Sequence, residues 1–194
     1  MSLEDEVVAL LKDQGITLTT AESCTAGLLA GRVMNVAGAS AVYEEGYITY
    51  SNKAKEKLLG VCHDTLERYG AVSRETACEM AEGAAKAAGA DAALSVTGIA
   101  GPDGGTKEKP VGLVYIGCFV KENVSVQECH FAGTRQENRA ASVEHALRML
   151  KEEVKKLQER MYDIKEWIAW KSECLDYRNC LWRWILCGKY LSRM

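Results

Sequence analysis

The spacing of apolar and polar positions changes period several times along the 194-residue chain, and each change marks an element. Leu3, Val7, Leu10 and Leu11 recur at helical spacing behind Ser2 and ahead of Gly15. A helix over 3–13 is therefore predicted, capped by the serine and stopped by the glycine. ITLTTAES (16–23) is rich in β-branched residues and reads as a short strand. It runs directly into TAGLLAGRVMNV (25–36), an apolar-faced helix expected to end near Gly38. The join, Glu22-Ser23-Cys24-Thr25, is a strand-to-helix turn with hydroxyl cap candidates.

YEEGYITYS (43–51) predicts a second strand, followed by a short helix over 52–58 and a helical turn from His63 to Tyr69 that Gly70 closes. Ser73 caps the next helix. Its Ala77, Met80, Ala81, Ala84, Ala85 and Ala88 form a small-residue face that can lie close on a sheet. DAALSVTG (91–98) is a buried strand that opens into GIAGPDGGTKEKP. After Pro110, VGLVYIGCFV and SVQECHFAG form a hairpin turning at Lys121-Glu122-Asn123. The last periodic segment is a long helix over 135–160, with Val143, Ala146, Leu147, Leu150, Val154 and Leu157 facing one way.

Alternating strands and helices followed by a hairpin predict an α/β fold. The expectation is a single domain over 1–160, with a mixed sheet of five to six strands and helices on both faces. In such sheets ligands sit at the carboxyl ends of the strands. The loops Glu22–Thr25, Tyr50–Lys55 and Thr97–Gly105 each follow a predicted strand and are expected to meet at one rim.

Composition changes this picture only at the C-terminus. All four tryptophans (Trp167, Trp170, Trp182, Trp184) fall in the last 28 residues, together with Cys174, Cys180 and Cys187. Residues 161–194 carry six Lys/Arg against four Asp/Glu, while the rest of the chain carries 18 against 23. A helical appendage over 161–194 is expected, used for association with the body or a second copy, for lying in a membrane interface, or for nothing in the domain at all. A net charge of -3 excludes a strongly basic nucleic-acid binder, and two prolines with no low-complexity run exclude a disordered chain. The acidic start is no signal peptide, and no window of some 18 apolar residues predicts a membrane span. There is no CxxC, and Cys24, Cys62, Cys78, Cys118 and Cys129 are scattered, so no zinc ribbon, redox pair or disulfide scaffold is expected. His63, His130 and His145 lack metal-ligand spacing. The expectation is a cytoplasmic protein with reduced thiols and no metal.

Three places carry candidate chemistry. Four glycines in Gly98–Gly105 let backbone N–H groups approach an anion, although neither a Walker loop nor GxGxxG is present. Ser23, where a strand turns into a helix, is either an N-cap or a nucleophile with helix N–H groups beside it; Cys24 is a rival nucleophile. No histidine is well placed as its base. A lysine with a lowered pKa can serve instead, and Lys53, Lys55 and Lys107 are candidates that spacing does not separate. Arg135 and Arg139 share one helix face and suit either a phosphate or pairing with Glu137 and Glu144.

TTAESCTAGLLA, GYITYSNKAKEKLLGV, GAVS, SVTGIAGPDGGTKEKPVGLVYIG and FAGTRQENR, in this order, resemble the CinA C-terminal domain family. The likeness runs from about residue 3 to 158. The best-known activity there is nicotinamide-nucleotide amidase. The resemblance implies hydrolysis of the carboxamide of nicotinamide mononucleotide, a step of pyridine-nucleotide salvage, by a Ser/Lys mechanism with neither metal nor cofactor. It matches the nucleophile to Ser23, the base to Lys55, the active-site tyrosine to Tyr50 and the hydroxyl before GIAGP to Thr97. Thr25, Gly98 and Gly101 are the expected backbone contacts to substrate, and Arg135 and Arg139 the expected basic pair. The implied partner is a small nucleotide, with no nucleic acid, and a homo-oligomer such as a dimer is expected. Larger relatives carry an N-terminal domain ahead of this one, so no pyrophosphatase activity is expected here. A function from another class, a nucleotide- or partner-binding module without catalysis, would leave the same fold.

Overall fold

The structure, a computed structural model, describes residues 1–176. Residues Met1–Lys155 form one compact unit, and the described residues from Lys156 to Asp176 lie outside it. The predicted tail positions Cys180, Trp182, Trp184 and Cys187 lie outside the described residues.

Helix α1 (Leu3–Gln14) is closed at its start by a reciprocal Ser2–Asp5 capping box and at its end by Gly15 in the left-handed region. Strand β1 (Leu18–Glu22) leads to α2 (Leu28–Met34), β2 (Tyr47–Ile48), α3 (Asn52–Leu59), α4 (His63–Tyr69) and α5 (Arg74–Ala88). Then come β3 (Ala92–Gly98), β4 (Leu113–Val120), β5 (Asn123–His130) and α6 (Arg135–Asp176). The five strands form one mixed sheet in the order β2-β1-β3-β4-β5. β2, β1 and β3 are parallel; β4 and β5 run antiparallel.

Three expectations about extent are corrected. The second strand has two residues instead of nine: Glu44 and Glu45 are exposed, and Gly46 is crowded by the Tyr43 hydroxyl, 2.0 Å from where a Cβ would sit. The helix expected from residue 25 begins at Leu28, because Ala26 and Gly27 take left-handed conformations. The last helix does not stop near 160; no glycine or proline lies between Gly133 and Gly188 to end it, and it runs to Asp176.

Side chains alternate across the sheet, and both faces are covered. On β3, Ala93, Ser95 and Thr97 face α5 and the loop before it, while Ala92, Leu94 and Val96 are fully buried on the opposite side. The small-residue face of α5 does what its composition predicts. Ser95 Oγ donates to the Ala77 carbonyl at 2.6 Å, and a Cβ on Gly117 would lie 2.6 Å from that same oxygen. On the opposite face Val7, Val8 and Leu11 of α1, Leu29 and Val33 of α2, and Val143, Leu147 and Leu150 of α6 are buried. Arg32 of α2 ties these helices by pairing with Glu4 and Glu144, contacts whose partial exposure limits them to about 1 kcal/mol. Lys151 of α6 pairs with Glu6 of α1.

The parallel trio turns its carboxyl ends to a single rim. The connections from β1 and β3 leave in opposite directions there, the switch point at which open α/β sheets hold ligands.

Candidate active site

Ser23 stands one residue beyond β1 and is 8% exposed. Its N–H donates to the Val96 carbonyl at 2.9 Å, extending the pairing with β3 to the rim. It is not a helix cap. Gly27 holds that position, and Glu22 does the capping: its buried carboxylate accepts the N–H groups of Gly27, Leu29 and Ala30 at 2.9, 3.1 and 2.8 Å. The partial positive charge of the α2 N-terminus is thereby already matched by a carboxylate. The helix N–H groups expected beside Ser23 are thus occupied by Glu22.

Lys55 lies in α3, a helix begun by the Ser51 hydroxyl accepting the Ala54 N–H. Its exposure is 0%, the largest fully buried side chain among the described residues. The close seat of α3 on α5 puts it there: a Cβ on Gly83 would fall 1.9 Å from the Leu59 carbonyl. The Lys55 amine donates to the Thr49 carbonyl at 2.7 Å and to Ser23 Oγ at 3.1 Å. Neither acceptor is a carboxylate, and burial pushes its pKa down from 10.5 to about 8. Of the three lysines that spacing left open, this one is joined to Ser23.

The rival nucleophile is disfavoured by its environment. Cys24 is 6% exposed, and burial pushes its thiol up to about 11. Almost no thiolate exists at neutral pH.

The other expected residues divide. Thr97 is buried within β3, but its hydroxyl donates to the Ala71 carbonyl at 2.7 Å and not to the Ser23–Lys55 pair. Tyr50 follows β2 at the rim and is 67% exposed, with no hydrogen bond to either member of the pair. Thr25 is fully buried, and its hydroxyl, like that of Thr49, has no hydrogen-bond partner among the described residues. Gly98 lies against the Leu113 and Val114 backbone, which leaves no space for a side chain. Gly101 has φ +89° and gives its carbonyl to Arg135 at 2.8 Å. Arg139 is turned onto protein as well: Nε donates to the Cys24 carbonyl at 2.9 Å and a terminal nitrogen to the Thr25 carbonyl at 2.7 Å. Both arginines of the expected basic pair thus hold backbone carbonyls, and of the two it is Arg135 that stays exposed.

Two residues of the site have no role in the sequence-based reading. Glu22 is one; it reaches five to eight residues ahead, a span that capping patterns do not cover. Asn138 is the other. Its amide accepts the Gly133 N–H and donates to the Ala100 carbonyl, so the start of α6 holds both the 24–25 turn and the 100–101 loop. Its signal was its place between the two arginines, one side of the same helical turn. Among the described residues no group of His, Cys, Asp and Glu could hold a metal ion, and no helix is long and apolar enough to cross a membrane.

The comparisons with known proteins agree on one family. A CinA-like protein of Kosmotoga olearia is 58% identical over 142 residues, 72% of this chain and 34% of that protein. The chain spans about a third of the length of the curated relatives it matches. Among solved structures, the competence/damage inducible protein CihA from Agrobacterium tumefaciens superposes with a TM-score of 0.75 at 46% identity, over 76% of this chain and 91% of that one. A CinA superfamily protein from Klebsiella pneumoniae does so with a TM-score of 0.77 at 36% identity, over 79% and 96%. The CinA C-terminal domain pattern matches residues 1–154, and the chain belongs to that family.

Proposed function

We propose that this chain is an amidohydrolase that converts nicotinamide mononucleotide to nicotinate mononucleotide and ammonia, with Ser23 as nucleophile and Lys55 as base. The observation that carries this reading is the buried Lys55 amine, 3.1 Å from Ser23 Oγ and with its pKa lowered to about 8. A neutral amine at that distance accepts the hydroxyl proton.

Ser23 Oγ forms a bond to the carboxamide carbon while its proton passes to Lys55, and the amide oxygen becomes an oxyanion. Collapse of that intermediate breaks the C–N bond. Lys55 returns its proton to the leaving nitrogen, ammonia departs and an acyl ester remains on Ser23. Water then attacks the ester carbon, gives a proton to Lys55 and leaves the carboxylate as Ser23 recovers its hydrogen. The Thr49 carbonyl holds the amine in place throughout, and no cofactor is required.

In this reading the exposed Arg135 and the glycine loop beside it take the phosphate, and Tyr50 borders the entrance. Thr97 supports the site from below through Ala71 instead of handling the proton. A cytoplasmic setting and a homo-oligomeric state belong to the same proposal. The test is ammonia release from nicotinamide mononucleotide by the purified protein, with Ser23→Ala and Lys55→Ala beside it. Full activity in either variant would sink the mechanism. Binding without turnover by the intact protein would instead mark a binding module.

A further inference from the structure

The turn from Ser23 to Gly27 is held from two sides. Glu22 grips its far end through the Gly27 N–H, and Arg139, 115 residues away in sequence, grips its middle through the Cys24 and Thr25 carbonyls. The Leu28 N–H also donates to Thr25. In a trans peptide the C=O and N–H groups point in opposite directions. The N–H groups of Thr25 and Ala26 belong to the two peptides whose carbonyls Arg139 holds. They are therefore turned away from the Arg139 guanidinium, two and three residues from Ser23. Neither has a hydrogen-bond acceptor among the described residues. Thr25 is fully buried, where an unsatisfied N–H is uncommon, and Ala26 is exposed at the rim.

We propose that Arg139 is a positioning residue for hydrolysis: by holding the Cys24 and Thr25 carbonyls it aims the Thr25 and Ala26 N–H groups at the oxyanion formed when Ser23 attacks. This rests on the hydrolase reading for its substrate, and it removes Arg139 from the phosphate-binding pair. A guanidinium holds both carbonyls with two donors fixed in one plane, whereas the donors of an ammonium turn freely on a flexible stem and fix the turn less firmly.

The experiment compares Arg139→Ala and Arg139→Lys with the wild-type full chain in three measurements. Steady-state rates are taken on nicotinamide mononucleotide and on nicotinamide riboside, the same amide without phosphate. Arg139→Ala is expected to lose on the order of 10²-fold in kcat, the typical effect of one lost oxyanion donor, with little change in KM and the same factor on both substrates. Added guanidinium chloride is expected to restore part of the loss, and Arg139→Lys to fall between the two while melting with the wild type. The third measurement is phosphonylation of Ser23 by a small fluorophosphonate, followed by intact mass; its phosphoryl oxygen needs the same donors, so the alanine variant is expected to react more slowly.

A rise in KM confined to the nucleotide, with kcat intact, would make Arg139 a phosphate ligand and overturn the proposal. Wild-type phosphonylation rates in both variants would overturn it too. Where Arg139→Ala does not fold, Arg139→Lys carries the same comparisons. If the intact protein releases no ammonia yet Ser23 is phosphonylated in an Arg139-dependent way, the amidase reading fails and the positioning role stands.

Discussion

Replacing Lys55 by Met tests the central premise, that a lysine is buried here at an energetic cost because it must be neutral to work. The shift from 10.5 to about 8 corresponds to about 3 kcal/mol at 1.36 kcal/mol per unit. Its sign follows from proton counting. Between pH 8 and 10.5 the unfolded chain still holds the Lys55 proton and the folded one has released it, so stability rises with pH across that window. Below pH 8 both forms are charged and the full penalty is present. Cys24 acts oppositely. Its raised value, about 11 against 9.0, makes the folded state the better proton binder, so it lowers stability as pH rises from 9 to 11. The wild-type curve mixes the two effects; the difference between wild type and Lys55→Met isolates the lysine. Met also removes the bonds to the Thr49 carbonyl and Ser23, an offset of about 1–3 kcal/mol that does not vary with pH. Urea unfolding at a series of pH values is thus expected to show the variant losing about 3 kcal/mol relative to wild type between pH 8 and 10.5. In parallel, wild-type kcat/KM on the nucleotide should climb through a midpoint near pH 8, with about a tenth of Lys55 neutral at pH 7, to a plateau about one unit above the midpoint. A stability difference that is flat from pH 7 to 10.5, with a rate limb near 10, would instead make Lys55 an ordinary solvated cation and no base at neutral pH.

Other outcomes follow from the same packing. Glu22→Gln leaves one oxygen where three N–H groups were satisfied by a carboxylate, and is expected to cost about 3 kcal/mol, a fall of roughly 10 °C in melting temperature. A melt within a degree of wild type would show that the cap is not carrying the turn. Gly83→Ala forces α3 off α5 and is expected to lose about 1–3 kcal/mol and more activity than stability, whereas Gly31→Ala, with open space around it, is expected to gain up to about 1 kcal/mol. Equal effects at the two glycines would count against the close seat of α3. Glu122→Gly relieves a left-handed residue in the β4–β5 turn and is expected to raise stability by about 1 kcal/mol; a lower melting temperature would contradict it.

The elements that were legible in the sequence are those whose signals are local. Ser2 and Gly15 bound α1, Ser73 and Gly89 bound α5, and the alternation after Pro110 sets a hairpin whose Lys121 and Glu122 turn back in left-handed conformations. The parallel strands and the rim followed from the order of elements. What escaped was set by distance. Spacing could not distinguish Lys55 from Lys53, because burial by α5, not local pattern, distinguishes them. Arg139 reads as a surface cation until the turn 115 residues earlier is folded beneath it. Ser23 reads as a cap because nothing in its own neighbourhood reveals that Glu22 has taken that task.

That same separation has a consequence for how the site comes into being. Ser23 and Lys55 are 32 positions apart, but the Arg139 contacts close a loop of more than a hundred residues. Closing so long a loop costs more chain entropy than the shorter closure, a cost offset by the contacts of the assembled sheet. In the proposed mechanism the Ser23–Lys55 pair needs only the shorter closure, and the turn that serves it the longer one. A chain cut short of the start of α6 would keep both side chains and still lack a finished site, so maturation of activity is expected to report on docking of the last helix, not on collapse of the sheet.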